Sequence, residues 1–88
     1  MFKNRRSDID IICGILKLSS NGARKTEILY QGNFSYTQLQ SYLPYLIKRD
    51  VLEENIISEN GMRYKLYKTT NKGLELIEDI ENIMNKLK

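Results

Sequence analysis

The most informative stretch of this chain reads Asn33-Phe34-Ser35-Tyr36-Thr37-Gln38-Leu39-Gln40-Ser41-Tyr42-Leu43. It carries a complete set of helix start signals. Ser35 is placed to cap the first turn while Gln38, three residues later, bonds back to the cap, which is the reciprocal pairing of a capping box. Phe34 and Leu39 have the spacing of a hydrophobic staple across the helix start. The sequence therefore predicts a helix whose N-terminus is firmly fixed, directly after a turn at Gly32-Asn33.

This helix is expected to run from Tyr36 to about Arg49. One face is predicted to point inward and consists of Leu39, Tyr42, Leu43, Leu46 and Ile47. The other is predicted to face solvent and consists of Thr37, Gln40, Ser41, Pro44 and Lys48. Pro44 removes one backbone hydrogen bond and costs about 3 kcal/mol in a regular helix interior. We expect a bend near Gln40–Pro44 with the missing donor on the solvent side. Two shorter helices are the less favoured alternative.

Two helices are predicted before it. Ser7 is placed to cap the first, with Asp8 and Asp10 in the first turn, where the helix dipole favours negative charge. The expected core stripe of this helix is Ile9, Ile12, Cys13 and Leu16, and Asn21-Gly22 is expected to end it. A short second helix is predicted from about Ala23 to Tyr30, burying Ile28 and Leu29.

A β-hairpin is predicted next. Asn60-Gly61 lies between two β-compatible runs, 51–57 and 63–68, and is the strongest short-range hairpin signal available. In the second run, Tyr64 and Leu66 alternate with Arg63, Lys65 and Tyr67. One face of this strand is therefore expected to be apolar and the other largely basic.

A last helix is predicted from Asn71 to about Lys86, capped by Thr69-Thr70. Its apolar residues form two adjoining stripes: Leu76, Ile80, Ile83 and Leu87 at heptad spacing, and Leu74, Ile77 and Met84 beside them. One stripe is expected to pack on the domain while the heptad stripe meets a second chain.

The composition restricts the classes of function. The 88 residues allow one domain, and a chain of this size buries a thin core that a partner subunit would support. Residues 1–73 carry 12 Lys/Arg against 7 Asp/Glu, a net of +5, whereas residues 74–88 carry 2 against 4, a net of −2. A basic body, residues 1–73 with a basic N-terminal arm, is expected to meet a polyanion, and the acidic end is expected to serve another purpose. Residues 74–88 continue from this domain as a helix, and its heptad stripe is the expected dimer contact.

Enzymatic and metal-dependent functions are not expected. The chain has one cysteine and no histidine, which excludes an intramolecular disulfide, the usual zinc ligand sets and the Ser-His or Cys-His nucleophile pairs. Cys13 is expected to pack in the core, and the paired acids Asp8/Asp10 and Glu53/Glu54 are better explained as helix-start and strand-surface residues. We expect no cofactor. With no secretory leader and no apolar run of about 20 residues, a cytoplasmic protein without membrane contact is expected.

The predicted order of elements is that of a winged helix-turn-helix, an α+β and mostly helical fold with three helices, a β-hairpin wing and a long C-terminal helix. Two segments, Asn33–Leu39 followed by Tyr42-Leu43, and Tyr67-Lys68-Thr69-Thr70-Asn71-Lys72-Gly73-Leu74-Glu75, resemble a family of small archaeal winged-helix proteins. The similarity extends from about Arg5 to Ile80. The resemblance implies transcriptional regulators or chromatin-associated DNA binders that dimerise through a C-terminal helix, with double-stranded DNA as the partner.

The candidate DNA-binding residues fall into four groups, namely the third helix (Tyr36, Thr37, Gln40, Ser41), the wing (Arg63, Lys65), the start of the second helix (Arg24, Lys25) and the arm (Arg5, Arg6, with Lys3). The third helix is expected in the major groove, where Gln can bond adenine and Thr or Ser several bases. The basic residues are expected on phosphates. Each group also has an ordinary explanation as solvated or aggregation-limiting surface.

The tyrosines are expected to serve mainly as buried rings with surface hydroxyls, with only Tyr36 and Tyr67 free for ligand contact. Because Gln40 and Ser41 carry no charge, the arm and wing are expected to supply most of the DNA affinity. The competing prediction is a winged-helix protein–protein interaction module without significant DNA binding. RNA binding is a weaker third possibility.

Overall fold

The computed structural model describes residues 7–88, in which four helices flank a two-stranded antiparallel hairpin. Their bounds are α1 Asp8–Leu18, α2 Lys25–Gln31, α3 Tyr36–Lys48, β1 Leu52–Glu59, β2 Met62–Thr69 and α4 Asn71–Lys86. This order confirms the predicted α+β architecture, including the long final helix.

The predicted caps fix the starts of three helices. The Ser7 and Ser35 hydroxyls accept from the backbone N–H groups three residues later at 3.2 and 3.0 Å, and the side chains of Asp10 and Gln38 return the bond. At α4 the cap is Thr70, which accepts from the Gly73 N–H at 3.1 Å. Thr69 is instead buried.

The second helix begins two residues later than predicted. Ala23 was expected inside it, but its N–H and C=O both pair with the backbone of Tyr67 at 2.8 Å. Gly22, at φ +93°, turns the chain into this extended position. Ala23 therefore pairs with β2 as an isolated antiparallel bridge, which joins the helical body to the hairpin.

The core face of α1 also differs from the prediction. Ile9 was expected in the core stripe but is 52% exposed, and the buried residues are Ile11, Ile15 and Leu16. Apolar residues surround most of this helix, so helical spacing fits two faces equally well and tertiary packing selects one. The remaining core residues come from every other element: Ala23, Ile28, Phe34, Leu39, Leu43, Leu46, Val51, Leu52, Tyr67 and Ile77.

Helix α3 is continuous through Pro44, so the alternative of two shorter helices is wrong. Pro44 is exposed, which places its missing backbone donor on the solvent side as expected. The helix ends in a Schellman motif: the Asp50 N–H donates to the Ile47 carbonyl at 3.0 Å and the Val51 N–H to the Leu46 carbonyl at 3.2 Å. Asp50 takes the left-handed position at φ +64°.

Helix α4 rests on this end of α3. A Cβ at Gly73 would lie 2.1 Å from the Val51 carbonyl oxygen, so only glycine permits the approach. Gly73 and Ile77 are buried, whereas residues 81–88 are all exposed. The described chain is accordingly elongated, 49 × 27 × 21 Å. None of the helices in residues 7–88 is long and apolar enough to cross a membrane.

Candidate nucleic-acid interface

The hairpin is held in one register over its whole length. Pairing runs from Leu52 opposite Thr69 to Glu59 opposite Met62, which leaves the two-residue turn Asn60-Gly61. Both turn residues have positive φ, 52° and 77°, as a type I′ turn requires. The predicted hairpin is thus confirmed, with a tip that projects beyond the helical body.

Tyr67 does not fit the expectation that it is free to contact a ligand. It alternates in phase with Arg63 and Lys65, yet it lies at the base of the hairpin and is only 5% exposed. Burial, followed by a hydrogen bond with Glu54, raises the pKa of Tyr67 to about 12. This strand face is therefore basic toward the tip and part of the core at its base.

The remaining tyrosines are less uniform than expected. Tyr30 is highly exposed, contrary to the expectation of a buried ring. Tyr42 is half-buried, and its hydroxyl donates to the Asp8 carboxylate. This hydrogen bond, with burial as the second cause, raises the pKa of Tyr42 to about 12. Both α1 and α3 are therefore tied together on the side of α3 away from the hairpin.

Helix α3 presents a row of exposed residues along its axis. Thr37, Ser41, Pro44 and Lys48 follow one another at steps of four, three and four, and all four are exposed. This spacing places them on one face, opposite the buried leucines of the same helix. The face has small polar groups over most of its length and a single positive charge at its C-terminal end.

The first turn of α3 holds a chain of side-chain contacts. The Lys25 ammonium lies 4.5 Å from the centre of the Tyr36 ring, a cation–π contact, and the Gln40 amide nitrogen donates to the Tyr36 hydroxyl at 3.0 Å. These contacts join the start of α2 to the first two turns of α3. They order three predicted site residues as one group.

A groove of about 600 Å³ separates α3 from the hairpin. Leu39, Leu43, Pro44, Ile47 and Tyr67 contribute to its lining along with a set of polar and charged residues: Lys25, Gln40, Lys48, Glu54 and Lys65. Three of the five are lysines. The geometry therefore brings together positive charge from α2, α3 and β2 around one concave surface.

Glu54 is the acidic member of this groove. Its carboxylate lies 3.8 Å from the Lys65 ammonium, a partly exposed ion pair across the hairpin. Because successive side chains of a strand point to opposite faces, the neighbouring Glu53 lies on the other face, opposite Lys68 in the ladder. The two adjacent glutamates are thus in different surroundings.

The other predicted site residues are distributed around this groove. The Arg24 guanidinium lies 3.8 Å from the centre of the Tyr64 ring, which is on the opposite hairpin face from Lys65. Arg63 is exposed near the tip. Arg5 and Arg6, together with Lys3, lie outside the described residues.

Two of the five polar residues that line the groove were not predicted as site residues. Lys48 was assigned to the outer face of α3 but not to the site, although it lies seven residues after Ser41 on the same face. Glu54 was interpreted as ordinary strand surface. The strand alternation that selected Lys65 also places Glu54 on the groove face once the register is known.

Cys13 is half-buried in a groove between α1 and α4, beside Ile80 and Met84. Burial raises the pKa of its thiol, which keeps the less reactive protonated form. This agrees with packing rather than chemistry. Among residues 7–88 there is also no group of three or more Cys, Asp or Glu side chains arranged to hold a metal ion.

Comparison with known proteins gives one family and two solved structures. A family model described as winged helix-turn-helix matches residues 5–88. The chain is similar to Sso10a-2, a DNA-binding protein from Sulfolobus solfataricus, at 32% identity and a TM-score of 0.72, covering 93% of this chain and 85% of that one. It is also similar in fold to a PadR-like transcription factor from Bacteroides fragilis, at 24% identity and a TM-score of 0.72, covering 90% and 82% of the two chains. Among curated proteins, none matches the chain.

Proposed function

The chain belongs to the winged helix-turn-helix family, and we propose that it is a non-enzymatic regulator or chromatin-associated factor that binds duplex DNA as a homodimer. The observation that carries this proposal is the exposed polar face of α3 beside a groove that contains three lysines. DNA binding by Sso10a-2, the solved relative at 32% identity, supports the same partner.

In the proposed complex, α3 lies in the major groove. Thr37 and Ser41 contact base edges or phosphates, and Gln40 at the side of the helix is suited to an adenine edge. Lys25, Lys48 and Lys65 line the groove beside it and bind the phosphate backbone, which attracts them whatever the base sequence. The helix supplies register, and the basic residues of the groove, the wing and the arm supply most of the affinity.

The wing and the arm extend this surface. Arg63 lies near the hairpin tip and is proposed to reach a phosphate beyond the major groove. Arg5 and Arg6 are proposed to add contacts from the N-terminal arm. Arg24, held against Tyr64, is proposed to meet the backbone from the other side of the hairpin.

The second half of α4 is the proposed dimer contact. Ile83 and Leu87 are 58% and 76% exposed, an unusual exposure for large apolar side chains in neighbouring turns. The other two residues of the predicted heptad stripe, Leu76 and Ile80, are half-buried, and Leu76 packs against the core. Residues 1–73 would bind DNA and residues 74–88 would join two copies, so that two α3 helices meet one duplex at a fixed half-site spacing.

The primary experiment is a titration against random duplex DNA at several salt concentrations. Several phosphate contacts should give a steep loss of affinity with salt, with a log–log slope of about −0.9 for each neutralised phosphate. An absence of binding even at low salt would refute the DNA-binding proposal and favour the protein–protein interaction module.

A variant pair localises the contact. Arg63→Ala with Lys65→Ala should flatten the salt slope by about 1 to 2, because up to two phosphate contacts are lost. Lys86→Ala with Lys88→Ala removes the same charge from the far end of α4 and should leave the slope nearly unchanged. Equal changes of the salt slope in the two double variants would show that the wing does not contact DNA.

A second variant pair tests the dimer. Ile83→Glu places a charge on the proposed contact, whereas Asn82→Glu adds the same charge at the next position along the helix. Sedimentation should show that Ile83→Glu shifts the protein toward monomer while Asn82→Glu keeps the dimer. A monomeric parent protein, or unchanged assembly in Ile83→Glu, would refute this contact.

A further inference from the structure

The groove contains one acidic side chain where a DNA-binding surface would be expected to hold only neutral or positive groups. Glu54 contributes to its lining together with Lys25, Lys48 and Lys65. A carboxylate at this place repels phosphate and neutralises part of the surrounding charge. The Glu54 carboxylate is therefore expected to weaken DNA binding.

The contacts of Glu54 show what it does in the free protein. Its carboxylate lies 3.8 Å from the Lys65 ammonium, and Glu54 lies directly opposite the buried Tyr67 in the strand ladder. Tyr67 is anchored in turn by both backbone bonds to Ala23. Glu54 is thus held by a rigid part of the hairpin base, while Lys65 is a flexible side chain with 60% of its surface exposed.

We propose that Glu54 limits the duplex affinity of this protein by holding Lys65 in an ion pair that DNA must displace. This inference rests on the proposed DNA-binding function and identifies Glu54 as a positioning residue of that site, acting through Lys65. Lys65 contributes its full charge to a phosphate only when it leaves the carboxylate. The pair weakens binding to any sequence, because phosphate contacts carry no sequence information.

The chain offers a matched control for this proposal. Glu53 and Glu54 are adjacent, both exposed and equally charged, but Glu53 lies opposite Lys68 on the hairpin face away from the groove. Glu53→Gln and Glu54→Gln change the net charge of the protein by the same amount. A general electrostatic effect would therefore act on both variants alike.

The experiment measures binding of the full chain to a random-sequence duplex by fluorescence anisotropy at several salt concentrations. Glu54→Gln should bind about three- to tenfold more tightly at low salt, because Lys65 no longer has to leave a carboxylate before it reaches a phosphate. The salt slope should change little, since Lys65 neutralises a phosphate in both proteins. Glu53→Gln should change affinity less than twofold. Equal gains in the two variants, or no gain in Glu54→Gln, would overturn the proposal.

The route through Lys65 is tested by repeating the substitution in a Lys65→Met background. There the gain from Glu54→Gln should fall to that of the Glu53 control, and an undiminished gain would show that Lys65 is not involved. Thermal unfolding of each variant shows whether a change in DNA affinity is accompanied by a loss of stability at the base of the hairpin. A Tyr67→Phe variant, which keeps Glu54, shows whether loss of the Tyr67 hydroxyl alone alters DNA binding. If the parent protein and Glu54→Gln both fail to bind DNA, the proposed function itself is refuted.

Discussion

Helices α3 and α4 begin in the same way but are supported differently. Each starts at a hydroxyl cap and each carries an apolar stripe at helical spacing. The leucines of α3 are buried along the whole helix, whereas α4 buries Ile77 near its start and exposes Ile83 and Leu87 near its end. Caps and periodicity determine where a helix begins and which face is apolar. What covers that face depends on how far the rest of the domain extends.

The contact between the two helices explains why the buried residues of α4, Gly73 and Ile77, lie in its first half. Its start lies directly on the end of α3, where the Thr70 hydroxyl donates to the Asp50 carbonyl at 2.6 Å and the Thr70 N–H to the Val51 carbonyl at 3.1 Å. Further along, the Lys17–Glu81 ion pair at 2.7 Å joins α4 to α1. Beyond this pair Met84 and Asn85 still line a groove beside α1, but every residue from 81 to 88 is exposed.

The largest effect is expected at Gly73. Gly73→Ala would place a methyl group against the Val51 carbonyl and force α4 away from α3, which we expect to cost about 3 kcal/mol, the upper part of the overpacking range. Glu75→Ala, an exposed position of the same helix, should change stability little. Urea denaturation measures both, and a stable Gly73→Ala variant would show that α4 does not depend on this close approach.

The two halves of α4 are compared directly by truncating one isoleucine in each. Ile77→Ala should cost about 2–3 kcal/mol at every protein concentration, because it leaves a cavity in the core. Ile83→Ala should lower stability only as far as dimer formation contributes, so its effect should depend on protein concentration. Concentration-independent losses of equal size would mean that Ile83 is covered by its own chain.

The helix caps provide a smaller test of the same comparison. Ser35→Ala removes the α3 cap and should cost about 1 kcal/mol. Thr70→Ala removes both the α4 cap and the hydrogen bond to the Asp50 carbonyl, so its cost should be larger, about 1.5–2 kcal/mol. Thermal unfolding compares the two variants. If Thr70→Ala costs no more than Ser35→Ala, the hydrogen bond from Thr70 to the Asp50 carbonyl contributes no stability.

Local signals in the sequence were sufficient for most elements but not for the choice of faces. The capping box at Ser35, the cap at Ser7, the Asn60-Gly61 turn and the order of helices and strands were all predicted, because each depends on residues close in sequence. The face of α1 was wrong, since Ile9 and Ile11 both fit a helical stripe. The Ala23–Tyr67 bridge was missed because it joins residues 44 positions apart.

The residues of the candidate site also divide into those that local sequence predicts and those that depend on packing between distant elements. Tyr36 and Gln40 were predicted from one helix, and the structure joins them by a hydrogen bond. Tyr67 was expected to be free, yet strand alternation alone does not reveal that the base of the hairpin is covered by the helical body. Glu54 was missed for a related reason, since its position in the groove depends on the packing of β1 against α3.

The smallest effect is expected where α3 ends. Asp50 occupies a left-handed conformation at φ +64°, which costs a residue with a side chain more than glycine. Asp50→Gly relieves this cost but also loosens the unfolded chain, so we expect a net gain of about 0.5 kcal/mol. The backbone carbonyl that accepts from Thr70 is retained. Asn33→Gly, at φ +56° after α2, is the matched control and should gain less, because Asn tolerates this conformation well. Urea denaturation measures both, and a destabilised Asp50→Gly variant would show that the Asp50 side chain itself supports the junction of α3 and α4.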